Sequence, residues 1–191
     1  MTQPIRVLGM DPSLNNWGLA YGLYYPDTGQ LSISTVDVIN PDFSTGKQVR
    51  QNSKDMERAE ALMTGAMKAC EGATVVFVEV PVGSQSARAM ASYGICAGVL
   101  GALRAQGIPF FEITPTEVKL ATVGKKTASK AEIIDRAVGL HPDANWPMIT
   151  QKGITRVSTT KAEHMADAIG AIEAGLQLPL FKQSLQFMNA A

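Results

Sequence analysis

Hydrophobic and polar positions along the chain follow two periods, and the changes between them mark out its elements. Over Leu31–Ile39 apolar and polar residues alternate, as in a strand with one buried face. Arg6–Met10 and Trp17–Tyr25 are more continuously apolar and also predict strands. Asp11-Pro12-Ser13 and Pro26-Asp27-Thr28-Gly29 supply turn chemistry between the three, so a β-meander is expected to open the domain. Asn40–Gln48 is mainly polar and predicts a loop. From Asn52 to Ala69 the spacing changes, with Met56, Ala59, Leu62, Met63 and Met67 recurring near the helical period. This predicts an amphipathic helix whose methionines fill the core.

The run Thr74–Val80, "TVVFVEV", is continuous and β-branched, which predicts a buried central strand. Ser84–Gln106 predicts a long helix, and its Gly94, Gly98 and Gly101 suggest that another backbone packs closely, inside the molecule or across a dimer. A short strand over Pro109–Ile113, a helix over Lys130–Leu140 and a final helix over Ala162–Leu176 complete the pattern. The order is mixed α/β. No repeat, low-complexity tract or composition break divides it, so residues 1–191 are expected to form a single domain.

Composition narrows the class. Of 191 residues, 46 % are hydrophobic and 18 % charged, as in a lightly charged globular protein. Cys70 and Cys96 lie in no metal or redox spacing, and buried reduced thiols in a cytoplasmic protein are expected. No secretory signal is expected, and Ala89–Leu103 is too short and too rich in Gly and Ala to span a membrane. The net charge is zero but unevenly spread. Residues 119–161 hold eight basic and three acidic side chains, a balance of +5, whereas residues 1–80 hold six and nine. A concentrated basic segment suits either a nucleic-acid face or a solvated surface.

Polar residues in unexpected places carry the candidate chemistry. Asp11 ends the first apolar run, where it reads either as turn chemistry or as a carboxylate facing a cleft. Glu79 is the only charge in "TVVFVEV", and a carboxylate there is costly to bury unless it is paired or bound to metal. In "KAEHMADAIGAIEAGL", His164 and Asp167 share one helix face at i,i+3, as ligands or as capping and solvated groups. If the strands of Asp11 and Glu79 are neighbours, a helix across that sheet end adds Asp167 and His164. Such a cluster repels itself unless divalent cations neutralise it. Hard ions such as Mg²⁺ or Mn²⁺ take carboxylate oxygens, and a pair of them supports in-line phosphoryl displacement.

The stretches "GMDPSLNNWGLAY", "VVFVEVP", "ITPTEVKLATVGKKTASK" and "HMADAIGAI" resemble, in order and spacing, those of the RuvC-type Holliday junction resolvases of the RNase H-like superfamily. The resemblance runs from about Arg6 to Leu176. It implies an α/β, RNase H-like fold with a five-stranded mixed sheet flanked by helices. It further implies a homodimer that cuts four-way DNA junctions with Mg²⁺, for which Mn²⁺ can substitute. Asp11, Glu79 and Asp167 match the family's acids, and His164 takes a position usually held by Asp. All four are thereby expected as catalytic metal ligands. Lys119 and Lys126 fall in the segment that contacts DNA in the family, and Lys125 and Lys130 beside them are expected to share that role.

Three departures bear on specificity. The family places an aromatic wedge shortly after the strand-end glutamate, and Val80-Pro81-Val82-Gly83 has none. The connection Pro142–Thr160 is longer than usual, and the overall charge is less basic. A relaxed branched-DNA or flap nuclease of the same fold is therefore the variant reading. A non-catalytic junction-binding relative is the alternative that keeps the fold without the chemistry. An actin-like ATPase would need a second phosphate loop and a duplicated domain, for which 191 residues leave no room.

Overall fold

The computed structural model describes residues 3–41 and 50–190, so the polar loop expected over 40–48 lies almost wholly outside the described residues. Strands β1 (Ile5–Asp11), β2 (Trp17–Tyr25) and β3 (Gln30–Ile39) form the expected meander. Helix α1 (Gln51–Cys70) then leads to β4 (Val75–Glu79), which lies parallel to β1 on the side away from β2. Helix α2 (Ala87–Ala105) and β5 (Phe111–Ile113) follow, and β5 lies parallel to β4. The five-stranded sheet thus has the order β3-β2-β1-β4-β5, with both parallel and antiparallel neighbours. This is the expected mixed sheet.

Helices cover both sheet faces, because alternate residues of the inner strands point to opposite sides. Leu8 and Met10 of β1 and Val76 and Val78 of β4 pack with Leu62 and Ala66 of α1 and Cys96, Val99 and Leu103 of α2. Val7 of β1 and Val75 and Phe77 of β4 face the other layer. That layer holds α3 (Pro115–Val123), α4 (Lys130–Leu140), α5 (Thr159–Gly175) and α6 (Pro179–Ala190). By the same alternation, Asp11 and Glu79 belong to the side of α5.

α5 lies unusually close to the sheet, and glycines make this possible. A Cβ on Gly9 would stand 2.0 Å from the Ala168 carbonyl oxygen, and one on Gly18 2.0 Å from that of His164. Only a residue without a side chain fits at either place. Gly18 is also the cross-strand partner of Asp11.

Several expectations are corrected. Of the two contacts expected at Gly94, Gly98 and Gly101, the internal one is removed: a Cβ added there would meet nothing within 4 Å and all three face outward, so among the described residues no backbone packs on them. Met56 is 68 % exposed and fills no core, because α1 buries only the stripe through Leu62, Ala66 and Ala69. Cys96 is buried as expected, whereas Cys70 is only half-buried.

Three elements go beyond the sequence pattern. α3 carries a capping box between Thr114 and Glu117, has Pro115 in its first turn, and stops at Gly124 with φ 83°. Those signals are legible in "TPTEVKLATVG". Phe181 of α6 packs edge-on against Tyr24, Phe77 and Phe111. Finally, β6 (Met148–Gln151) and β7 (Ile154–Val157) form a separate two-stranded antiparallel ribbon within the long connection before α5.

Candidate active site

Parallel pairing of β1 with β4 aligns Gly9 with Phe77 and Met10 with Val78. One residue further on, Asp11 and Glu79 end their strands side by side and on the same face. The close approach of α5 brings His164 and Asp167 to this edge. All four side chains line one cleft of about 390 Å³. The turn residues Pro12 and Ser13, the post-strand segment Pro81–Gly83, Tyr93 of α2 and the residues Lys119, Lys130 and Glu163 complete much of its wall. Asp-Pro-Ser thus both ends β1 and lines the cleft.

Burial and mutual repulsion dominate the electrostatics. Burial, with the charges of Asp11 and Asp167, pushes the Glu79 carboxyl up to about 9, against a partial lowering by Lys119. Burial and the charges of Asp11 and Glu163 push Asp167 up to about 7, while His164 and Lys130 pull the other way. The Glu79 Oε2 atom is buried and has no hydrogen-bond partner. His164 Nδ1 and Asp11 Oδ2 lie 2.6 Å apart, both side chains being mostly buried. Burial would lower the imidazole's pKa, but the hydrogen bond and charge of Asp11, helped by Glu163 and Asp167, raise it overall.

Three carboxyls and an imidazole form a donor set suited to a hard divalent cation with some tolerance for a softer one. The orphaned Glu79 oxygen and the raised carboxyl pKa values are what such a set shows when its charge is uncompensated. Among the described residues no three such donors already converge as a finished coordination shell. The Asp11 contact accounts for one part of this, since it holds the Nδ1 of His164 and leaves Nε2 as the nitrogen for a ligand. The residues fit a divalent ion in kind, with side-chain adjustment.

The basic residues separate into groups that the sequence does not distinguish. Lys119, on α3, lines the cleft, as does Lys130, which is ion-paired with Glu163. Lys125 is outside the cleft lining and paired with Glu132 across the start of α4, and Lys126 is exposed beside it. Tyr93 and Glu163 are further cleft residues that periodicity gives no reason to select. Only the nearness of Glu163 to His164 on the same helix hints at its place.

A mixed sheet in the order β3-β2-β1-β4-β5, with helices on both faces and acids at the ends of β1 and β4, defines an RNase H-like fold of the RuvC type. Among solved structures the chain is similar to Thermus thermophilus RuvC in complex with Holliday junction substrate. That match has a TM-score of 0.61 and 20 % identity, covering 89 % of this chain and 92 % of that one. The structure of Thermus thermophilus RuvC gives 0.60 and 21 %, with the same coverage. The yeast mitochondrial Holliday junction resolvase gives 0.58 and 16 %, covering 90 % of this chain and 78 % of that one. No family model matches the chain. The resemblance carried by the four sequence stretches is borne out as a likeness of fold.

Proposed function

We propose that the protein, acting as one nuclease domain over residues 1–191, is a metal-dependent endonuclease that resolves four-way DNA junctions by paired phosphodiester hydrolysis. The single observation that carries this reading is the convergence of Asp11, Glu79 and Asp167, from two adjacent strand ends and a helix, with His164 on one open cleft. Mg²⁺, or Mn²⁺ in its place, supplies charge neutralisation and Lewis acidity when bound by these four residues. Asp11 also orients the His164 ring through Nδ1. Lys119 and Lys130 stand at the cleft wall, where a scissile phosphate is drawn in against the acids. Lys125 and Lys126 extend the basic surface beyond it. A homodimer offers two such clefts related by a twofold axis, matching the two equivalent strands of a junction. The neighbour solved with Holliday junction substrate supports branched DNA as the partner class.

A second reading, a relaxed nuclease for flaps and other branches, draws on the segment after Glu79. Val82 is 77 % exposed on the cleft wall, and Val80-Pro81-Val82-Gly83 carries no aromatic to part base pairs, the cleft's Tyr93 coming from α2 instead. One panel decides between them: four-way, flap and linear duplex DNA, each incubated with Mg²⁺. Paired incision confined to the four-way substrate is expected. Equal cutting of flaps and junctions selects the relaxed reading, and no cutting of any substrate leaves only a junction-binding role.

A further inference from the structure

The β6–β7 ribbon has no place in the chemistry of the cleft, yet it is held at a defined point beside it. Its base is anchored. Trp146 is buried and its Nε1 donates to the His141 carbonyl at 2.8 Å. Asn145 Oδ1 accepts from the Val36 amide of β3 at 2.7 Å, and the Ser158 amide donates to the Pro147 carbonyl at 2.7 Å. α5 begins at Thr159, directly after the ribbon, and reaches His164 little more than one turn later.

Beyond this base the ribbon is bare. Residues 150–156 are all exposed, so both of its faces meet solvent, although an isolated two-stranded sheet is marginal in water. Lys152 (φ 51°) and Gly153 (φ 78°) form a tight turn of the kind that matches strand twist. Register places Ile149 opposite Arg156 and Gln151 opposite Ile154, so these four share one face. That face is concave around Gln151, Lys152, Ile154 and Arg156, and Ile154 is 68 % exposed. No acidic residue occurs between Ala144 and Lys161. Arg156 donates to the neutral Gln151 side chain at 2.6 Å, and among the described residues neither it nor Lys152 has a carboxylate partner.

We propose that this ribbon is a duplex-DNA-binding arm, with Lys152 and Arg156 on the phosphates and Gln151 and Ile154 turned into the major groove. Charge complementarity selects the partner, since uncompensated cations on a bare polar ribbon match a polyanion. Size agrees with it: a two-stranded ribbon fits a major groove about 12 Å wide. The choice of DNA rests on the nuclease reading, and the arm adds a grip on a duplex flanking the cut site. Docking supplies the contacts that a ribbon solvated on both faces lacks.

The test uses the full chain in metal-free buffer, with a labelled linear duplex and a labelled four-way junction titrated across a salt series. K152A/R156A is expected to weaken binding to both by about tenfold or more at moderate salt and to reduce the salt slope by nearly two. K152E/R156E is expected to weaken it further, while T150A, on the opposite face, leaves affinity and slope unchanged. Melting temperatures stay at the wild-type value because these side chains are solvated. With Mg²⁺ and junction, K152A/R156A is expected to raise KM and keep kcat. Wild-type affinity and slope in both charge variants would overturn the proposal, even if junction cleavage is normal. A ribbon-dependent slope in a protein that cuts no junction would instead sink the nuclease reading and leave the arm standing.

Discussion

At the scale of single residues, the cleft is a place where negative charge is held against its own repulsion. Without metal, Glu79 (about 9) and Asp167 (about 7) stay protonated well above the ordinary carboxyl values of 4.5 and 3.8. The folded chain then binds more protons than the unfolded one between about pH 4 and 9, so stability falls as pH rises through that window. The raised pKa of His164 acts in the same direction, because the ionic part of its pairing with Asp11 is lost as the imidazole deprotonates, while the Nδ1 hydrogen bond persists. Thermal unfolding in chelator is therefore expected to show a melting temperature that declines from about pH 5 to 9. Mg²⁺ or Mn²⁺ should restore it, and Glu79→Gln should flatten the decline. A flat profile for the wild type would mean that the acids do not share a field. In cleavage assays Asp11→Asn, Glu79→Gln and Asp167→Asn are each expected to abolish turnover while junction binding persists, because the proposed function assigns positioning to the basic surface. His164→Asp should keep substantial Mg²⁺-dependent cleavage and move the acid limb of the pH profile downward. His164→Ala, which also leaves Asp11 without its partner, should lose about 10–100-fold and recover in part with Mn²⁺. Normal rates for His164→Ala in Mg²⁺ would remove the imidazole from the site.

At the scale of elements, the distance from α5 to the sheet sets the geometry of the cleft. Gly18 is paired with Asp11 and lies against the His164 carbonyl, so it controls both sides of the hydrogen bond between them. Gly18→Ala forces backbone against backbone, and the start of α5 has to move. The expected cost is about 1–3 kcal/mol in unfolding experiments, with a disproportionate loss of single-turnover cleavage. Gly139→Ala, on the exposed side of α4 with open space around it, provides the contrast. It should leave cleavage intact and stabilise the protein by up to about 1 kcal/mol. Equal behaviour of the two variants would show that α5 has slack at Gly18.

At the scale of the whole molecule, the outward face of α2 is a candidate surface for the proposed contact between two copies. Gly94, Gly98 and Gly101 line that face with Ala97 and make no close contact among the described residues. Small residues let helix backbones approach, so the proposed homodimer is expected to use them. Sedimentation of Gly98→Arg should give a monomer that nicks one strand at a time, while the wild type sediments as a dimer and incises in pairs. A wild type that stays monomeric at micromolar concentration and still cuts opposed strands together would contradict this.

Much of this was legible in the chain before folding. The strand meander, the buried run ending in Glu79 and the polar interruptions at Asp11, His164 and Asp167 all appear as local departures from a hydrophobic period. Local pattern records which side of an element is buried, and that suffices to mark a carboxylate that has no business there. It does not record what lies opposite. That Asp11 and Glu79 end neighbouring strands follows from β4 pairing in parallel with β1 after the α1 crossover. That His164 turns its Nδ1 to Asp11 follows from two glycines admitting α5 to the sheet. Lys119 and Lys125 look alike in sequence, yet the packing of α3 and α4 puts one in the cleft and the other in an ion pair outside it. The outward glycines of α2 remove one of the two contacts expected of them, the internal one, for the same reason: composition shows that a close approach is possible, and only the tertiary contacts decide whether anything approaches.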